Sequence, residues 1–109
     1  MKTLQTNLPP GGALASNLVA KERRKIRFMY REQPDGEHDS GWRFFSGVED
    51  QTYADDPSNF AIYAVTTIAE IDPDVVPFLN SPPPCAFERE SDDTPFHESS
   101  GFQFEPERD

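Results

Sequence analysis

The side chains in this sequence that could do chemistry are two histidines, one cysteine and several close pairs of acids. His38 and His97 lie far apart in the chain. Neither sits in an H-x-x-x-H or Cys-His spacing, so the sequence offers no zinc ligand set. Asp72 and Asp74 flank Pro73 and imitate a metal-binding D-x-D. No glutamate follows at EF-hand spacing, and the pair reads better as a helix cap. Ser46-Gly47 lacks the G-x-S-x-G elbow that presents a nucleophilic serine, and Gly11-Gly12 is too short to cradle a phosphate. Cys85 follows Pro82-Pro83-Pro84 and reads as a small, partly buried hydrophobe rather than a reactive thiol. As the sole cysteine it can form no internal disulfide.

Glu49 with Asp50 and Asp55 with Asp56 could do acid-base work only if they were buried. Their polar neighbours make them solvated loop acids instead. The chemistry left to them is electrostatic: acidic loops steer a basic protein into contact and pair with its Lys and Arg. The sequence therefore points to a binder, with no cofactor, no metal and no catalytic centre.

Charge supports this reading. Of the 10 basic and 20 acidic residues, the stretch through Arg31 holds seven cations against Glu22, a net +6. From Glu32 onward three arginines face nineteen acids, a net −16. Such an acidic bulk speaks against nucleic acid as a partner, since that binding works by neutralising phosphates. It suits a basic protein, although acidity also keeps a protein soluble. No apolar run approaches the roughly 20 residues of a membrane span, and the N-terminus has no apolar signal region, so a cytoplasmic protein is expected.

The 109 residues allow one domain with one modest core. Pro9-Pro10-Gly11-Gly12 closes a lead-in over residues 1–12. Ala13–Ala20 reads as a first strand. Arg24–Arg31 reads as a second, with Ile26, Phe28 and Tyr30 packing and Arg27 and Arg31 on a solvated face. Pro34-Asp35-Gly36 makes a turn. Trp42–Ser46 has rings on both faces, Trp42 and Phe44 against Phe45, which predicts the central strand. Gly47–Asn59 is an acidic loop or short irregular helix. A strand and then a helix follow from Phe60, with Thr67 and Glu70 at capping-box spacing. Asp72-Pro73 starts a further short helix that Pro77 curtails. Ala86–Arg89 makes a last strand, and residues 91–109 form an irregular, acidic tail, mobile or partner-dependent. The expected class is α+β: a small twisted, mainly antiparallel sheet with one or two short helices.

One series of blocks is specific in its order. It comprises Arg31-Glu32-Gln33-Pro34, then Asp39-Ser40-Gly41-Trp42-Arg43-Phe44-Phe45-Ser46-Gly47-Val48-Glu49-Asp50, then Tyr53 and Asn59. It continues through Thr67-Ile68, Ile71-Asp72-Pro73-Asp74, Pro77-Phe78-Leu79, Ser81-Pro82 and Ala86-Phe87-Glu88-Arg89. Over residues 13–90 this resembles the bacterial Imm33 immunity-protein family, also described as domain of unknown function 2185. Pro84-Cys85 departs from that pattern, which has glycine there. The resemblance implies an α+β antitoxin encoded beside the toxin of a polymorphic or contact-dependent system, including those delivered by type VI secretion. It does not name the toxin.

Under that resemblance, toxin contact falls to Asp39, Arg43, Glu49, Asp50, Tyr53, Asp55 and Asp56. Trp42 either fills the core or helps anchor the toxin, and Arg43 either pairs internally or reaches a partner. A rival reading is a regulatory or adaptor domain that takes a peptide or small ligand in an aromatic groove of Tyr30, Trp42, Phe44 and Tyr63.

Overall fold

The structure, a computed structural model, describes residues 8–99. Six strands form one mixed sheet: β1 (Gly12–Ser16), β2 (Phe28–Arg31), β3 (Asp39–Phe45), β4 (Phe60–Ala64), β5 (Cys85–Glu88) and β6 (His97–Glu98), in the order β4-β1-β3-β2-β5-β6. Only β1 with β3 is parallel; the other pairings are antiparallel. The helices α1 (Asn17–Ala20), α2 (Gln51–Ala54) and α3 (Val65–Ile71) are short, and 3-10 turns occupy Pro57–Asn59 and Pro73–Phe78. The expected α+β class holds, with Trp42–Phe45 central as its double-sided rings required.

Strand alternation sorts the sheet into two faces. Ala13, Ala15, Met29, Trp42, Phe44 and Phe87 point to one side and pack against Val19 of α1, Val65 and Ile68 of α3, and Val75 and Leu79, forming the buried core. Trp42 belongs wholly to this core: its ring stacks on Phe44 at 5.7 Å and its indole N–H donates to the Leu79 carbonyl at 3.0 Å. The opposite face carries Leu14, Phe28, Tyr30, Arg43, Phe45, Phe60 and Ile62, none of them fully buried.

Several local expectations change. The first strand ends at Ser16, whose hydroxyl accepts from the Val19 amide and turns the chain into α1. In β2 it is Met29 that enters the core, with Phe28 and Tyr30 on the opposite face. Arg31 is not a solvated cation. It donates to the carbonyls of Ser40 at 2.9 Å and Ser81 at 2.9 Å, and its guanidinium sits 5.8 Å from the Trp42 ring centre. Helix α3 starts at Val65 after Ala64, so Thr67 lies inside it rather than capping it. Asp72, by contrast, caps the 3-10 turn through the Asp74 amide. The start of the tail is structured: β6 pairs with β5, and Phe96 packs edge-on against Phe78 at 5.6 Å. Residues 100–109 of that tail, like residues 1–7, lie outside the described residues.

Gly41 is required where it stands. Its φ of +90° and the contact a Cβ would make with the Glu32 carbonyl admit no side chain. There β3 jumps register against β1, from Gly12↔Asp39 to Leu14↔Arg43.

Candidate functional site: the uncovered sheet face

Among the described residues no layer of helices covers the second face of the sheet, and aromatic rings run across it. Tyr30 stacks on Phe45 at 6.0 Å, Phe28 lies 5.8 Å from Phe45, Phe45 meets Phe60 edge-on at 5.7 Å, and Phe60 meets Tyr53 of α2 at 6.0 Å. Cross-strand aromatic pairs hold such a row in place. A hollow at the α2 end is lined by Phe28, Tyr30, Phe45 and Glu49. A second hollow, where β3 begins, is lined by Leu14, Asp35, Glu37, Asp39, Arg43 and Ile62. The face is thus an apolar strip with carboxylates at each end.

The residues expected to touch a partner divide by this geometry. Arg43 is turned inward on its own acids. Its guanidinium bonds Asp39 through both terminal nitrogens, at 3.0 and 3.1 Å, and Glu32 through Nε at 2.8 Å, leaving the side chain 13% exposed. The Arg43 guanidinium holds the Asp39 carboxyl well below the usual carboxylate range, aided by the amides of Asp35 and Gly41.

Glu49 is not a free loop acid. It accepts from the Ser16 hydroxyl at 2.6 Å, the Ser46 amide at 2.8 Å and the Gly47 amide at 2.9 Å, tying the end of β3 to the end of β1. Burial pushes its carboxyl up, but these hydrogen bonds outweigh burial and the net shift is downward. Asp50 caps α2 through the Tyr53 amide, and Asp56 caps the 3-10 turn through Ser58. Asp55 is exposed beside them and accepts from the Gln51 side chain. Glu49, Asp50, Tyr53, Asp55 and Asp56 therefore gather at the α2 end of the strip, while Asp39 and Arg43 mark the other end.

The family model of the immunity protein Imm33 domain matches residues 13–100 of the chain. The chain belongs to the Imm33 immunity protein family. No curated protein and no solved structure matches it. The Imm33 match takes in all six strands but for Gly12 at the start of β1, and includes β6.

Within the Imm33 domain the aromatic groove of the adaptor reading is not assembled. Trp42 and Phe44 are buried on the core face, and Tyr63 shares that face; Tyr30 lies on the other side of the sheet. Among the described residues no group of three or more His, Cys, Asp and Glu is placed to hold a metal ion, and no helix is long and apolar enough to cross a membrane. Both histidines are exposed, and His97 pairs with Glu90 at 3.1 Å.

Sequence reasoning missed two features. The first is the ring row itself: Phe28 and Phe45 were read as strand residues without the open face they share. The second is the bond of Arg89 to Asp72 at 2.8 Å, with side chains 2% and 0% exposed, extended by Arg89 to Asp74 at 2.9 Å. The signal available for it was an arginine ending an apolar strand in the arginine-poor half of the chain.

Proposed function

We propose that this immunity protein is a cytoplasmic antitoxin that binds a cognate bacterial toxin and occludes its basic active-site cleft, with no turnover, cofactor or metal involved. The observation that carries the reading is the uncovered sheet face, an aromatic strip with carboxylate-lined ends. Aromatic rings supply contact area at low entropic cost, and the acids complement Lys and Arg around the cleft. The toxin is the product of the adjacent reading frame, in a polymorphic or contact-dependent system such as one served by type VI secretion. Asp50, Tyr53, Asp55 and Asp56 make contact, whereas Asp39, Arg43 and Glu49 chiefly shape the surface through their internal bonds.

The test is co-expression with that toxin, together with binding measured at low and high salt. Reversing Asp55 and Asp56 to lysine is expected to weaken binding about tenfold at low ionic strength, less at high, and to reduce rescue of the cells. Unchanged affinity and full rescue would remove this face from the interface.

A further inference from the structure

The sheet has an edge that nothing among the described residues covers. β4 pairs with β1 on one side only and ends the sheet. Edge strands are ordinarily guarded by charge, proline or a bulge. Phe60-Ala61-Ile62-Tyr63-Ala64 has none of these, and its register with β1 is regular. Ile62 is 65% exposed. No charged residue occurs anywhere from Pro57 to Ala69, in a chain where 28% of residues are charged. The Gly12 amide faces β3, donating to His38 at 2.8 Å, so by strand alternation Ala13 and Ala15 turn to β4. Their partners Tyr63 and Ala61 face β1, which leaves the Phe60 carbonyl, both backbone groups of Ile62 and the Ala64 amide directed outward, while the Phe60 amide donates to the Pro57 carbonyl and Ala64 caps α3.

We propose that β4 is a self-association edge: a second copy of this chain adds its own β4, antiparallel, about a two-fold axis through Ile62. That register sets Ile62 opposite Ile62 of the second copy, Phe60 opposite Ala64, and Tyr63 opposite Ala61. Every large ring meets a methyl group, so neither face is overcrowded. Charge selects the occupant. A molecule of net charge −10 can meet its copy only where acids do not face acids, and here Pro57-Ser58-Asn59 would lie against Val65-Thr66-Thr67. A basic toxin would gain nothing from so neutral an edge. The pairing stands apart from the toxin reading and would join two uncovered faces into one continuous surface. A five-residue edge buries little area, so the dimer forms at micromolar concentrations or above.

Sedimentation equilibrium of the full chain from about 1 µM to about 1 mM should give a monomer–dimer equilibrium that tightens when salt rises, because the like net charges are screened. Ile62→Lys, at an exposed side chain, should keep the circular dichroism spectrum and weaken the dimer at least about tenfold by setting two cations opposite each other. Ile62→Cys in a Cys85→Ser background should form an interchain disulfide on oxidation, since directly opposed residues lie about 4.5 to 5.5 Å apart, within disulfide reach. A monomer at all concentrations, or a dimer indifferent to Ile62→Lys, overturns the proposal. The Asp55 and Asp56 reversals should leave the dimer intact, so failure of either reading is visible separately.

Discussion

Removing the Arg89 guanidinium would leave Asp72 buried with its charge uncompensated. Asp72 Oδ2 accepts from Arg89 at 2.8 Å and from the Ile26 amide at 2.9 Å, and Arg89 also donates to the Ile26 carbonyl at 2.9 Å and lies 4.3 Å from the Phe96 ring. One ion pair thus joins the end of β5, the start of the last 3-10 turn, the entry to β2 and the base of the tail. A buried pair adds little net stability over apolar groups of similar shape, but breaking it from one side is costly. Arg89→Met should destabilise the fold by about 3 to 5 kcal/mol, and Asp72→Asn added to it should restore part of that loss. Urea unfolding of the two variants checks this; equal stability of single and double variants would mean that Asp72 gains no protection from Arg89.

The elements answer to similar internal bonds, most clearly at the start of β3. Arg43 clamps Asp39 and Glu32, while Asp39 in turn receives the amides of Asp35 and Gly41, so the turn before β3 and the bulge at Gly41 hang on one guanidinium. The Asp39 pKa is depressed in the folded state, so its contribution is present above the unfolded value near 4 and is lost as pH falls through the folded value. Arg43→Met should therefore cost about 2 kcal/mol near pH 6, and the gap to the unmodified chain should narrow steadily as pH falls below about 4. Unfolding curves across that range test it; a gap independent of pH would assign the effect to packing. Much at this scale was legible in the sequence. Period-two alternation around Trp42 marked the central strand, and Asp72-Pro73 marked a helical start, because both signals are local. What was not legible depends on contacts distant in sequence. Glu49 looked solvated until Ser16 was placed beside it by β1, and Phe28 and Tyr30 looked like core until the helices packed on the other face.

At the scale of the whole molecule, charge that is segregated along the chain is partly interleaved in space. Lys25 of the basic third pairs with Asp74 at 3.1 Å, and Arg27 with Asp92 at 3.0 Å. The surviving excess of −10 includes Asp35, Glu37, Asp50, Asp55 and Asp56, which are exposed around the aromatic strip. Those acids act at a distance, and the rings act only on contact. Long-range attraction speeds encounter and is screened by salt, whereas desolvated aromatic contacts govern how long a complex lasts. For the toxin complex, the association rate should fall at least about tenfold between about 0.05 and 0.5 M salt, with a much smaller change in dissociation rate. Stopped-flow mixing of the pair across that range measures both. If association is indifferent to salt while affinity is high, the acids play no part in docking and the strip alone carries recognition. If dissociation carries the salt dependence instead, the acids hold the docked toxin through solvent-accessible ion pairs rather than steer its approach.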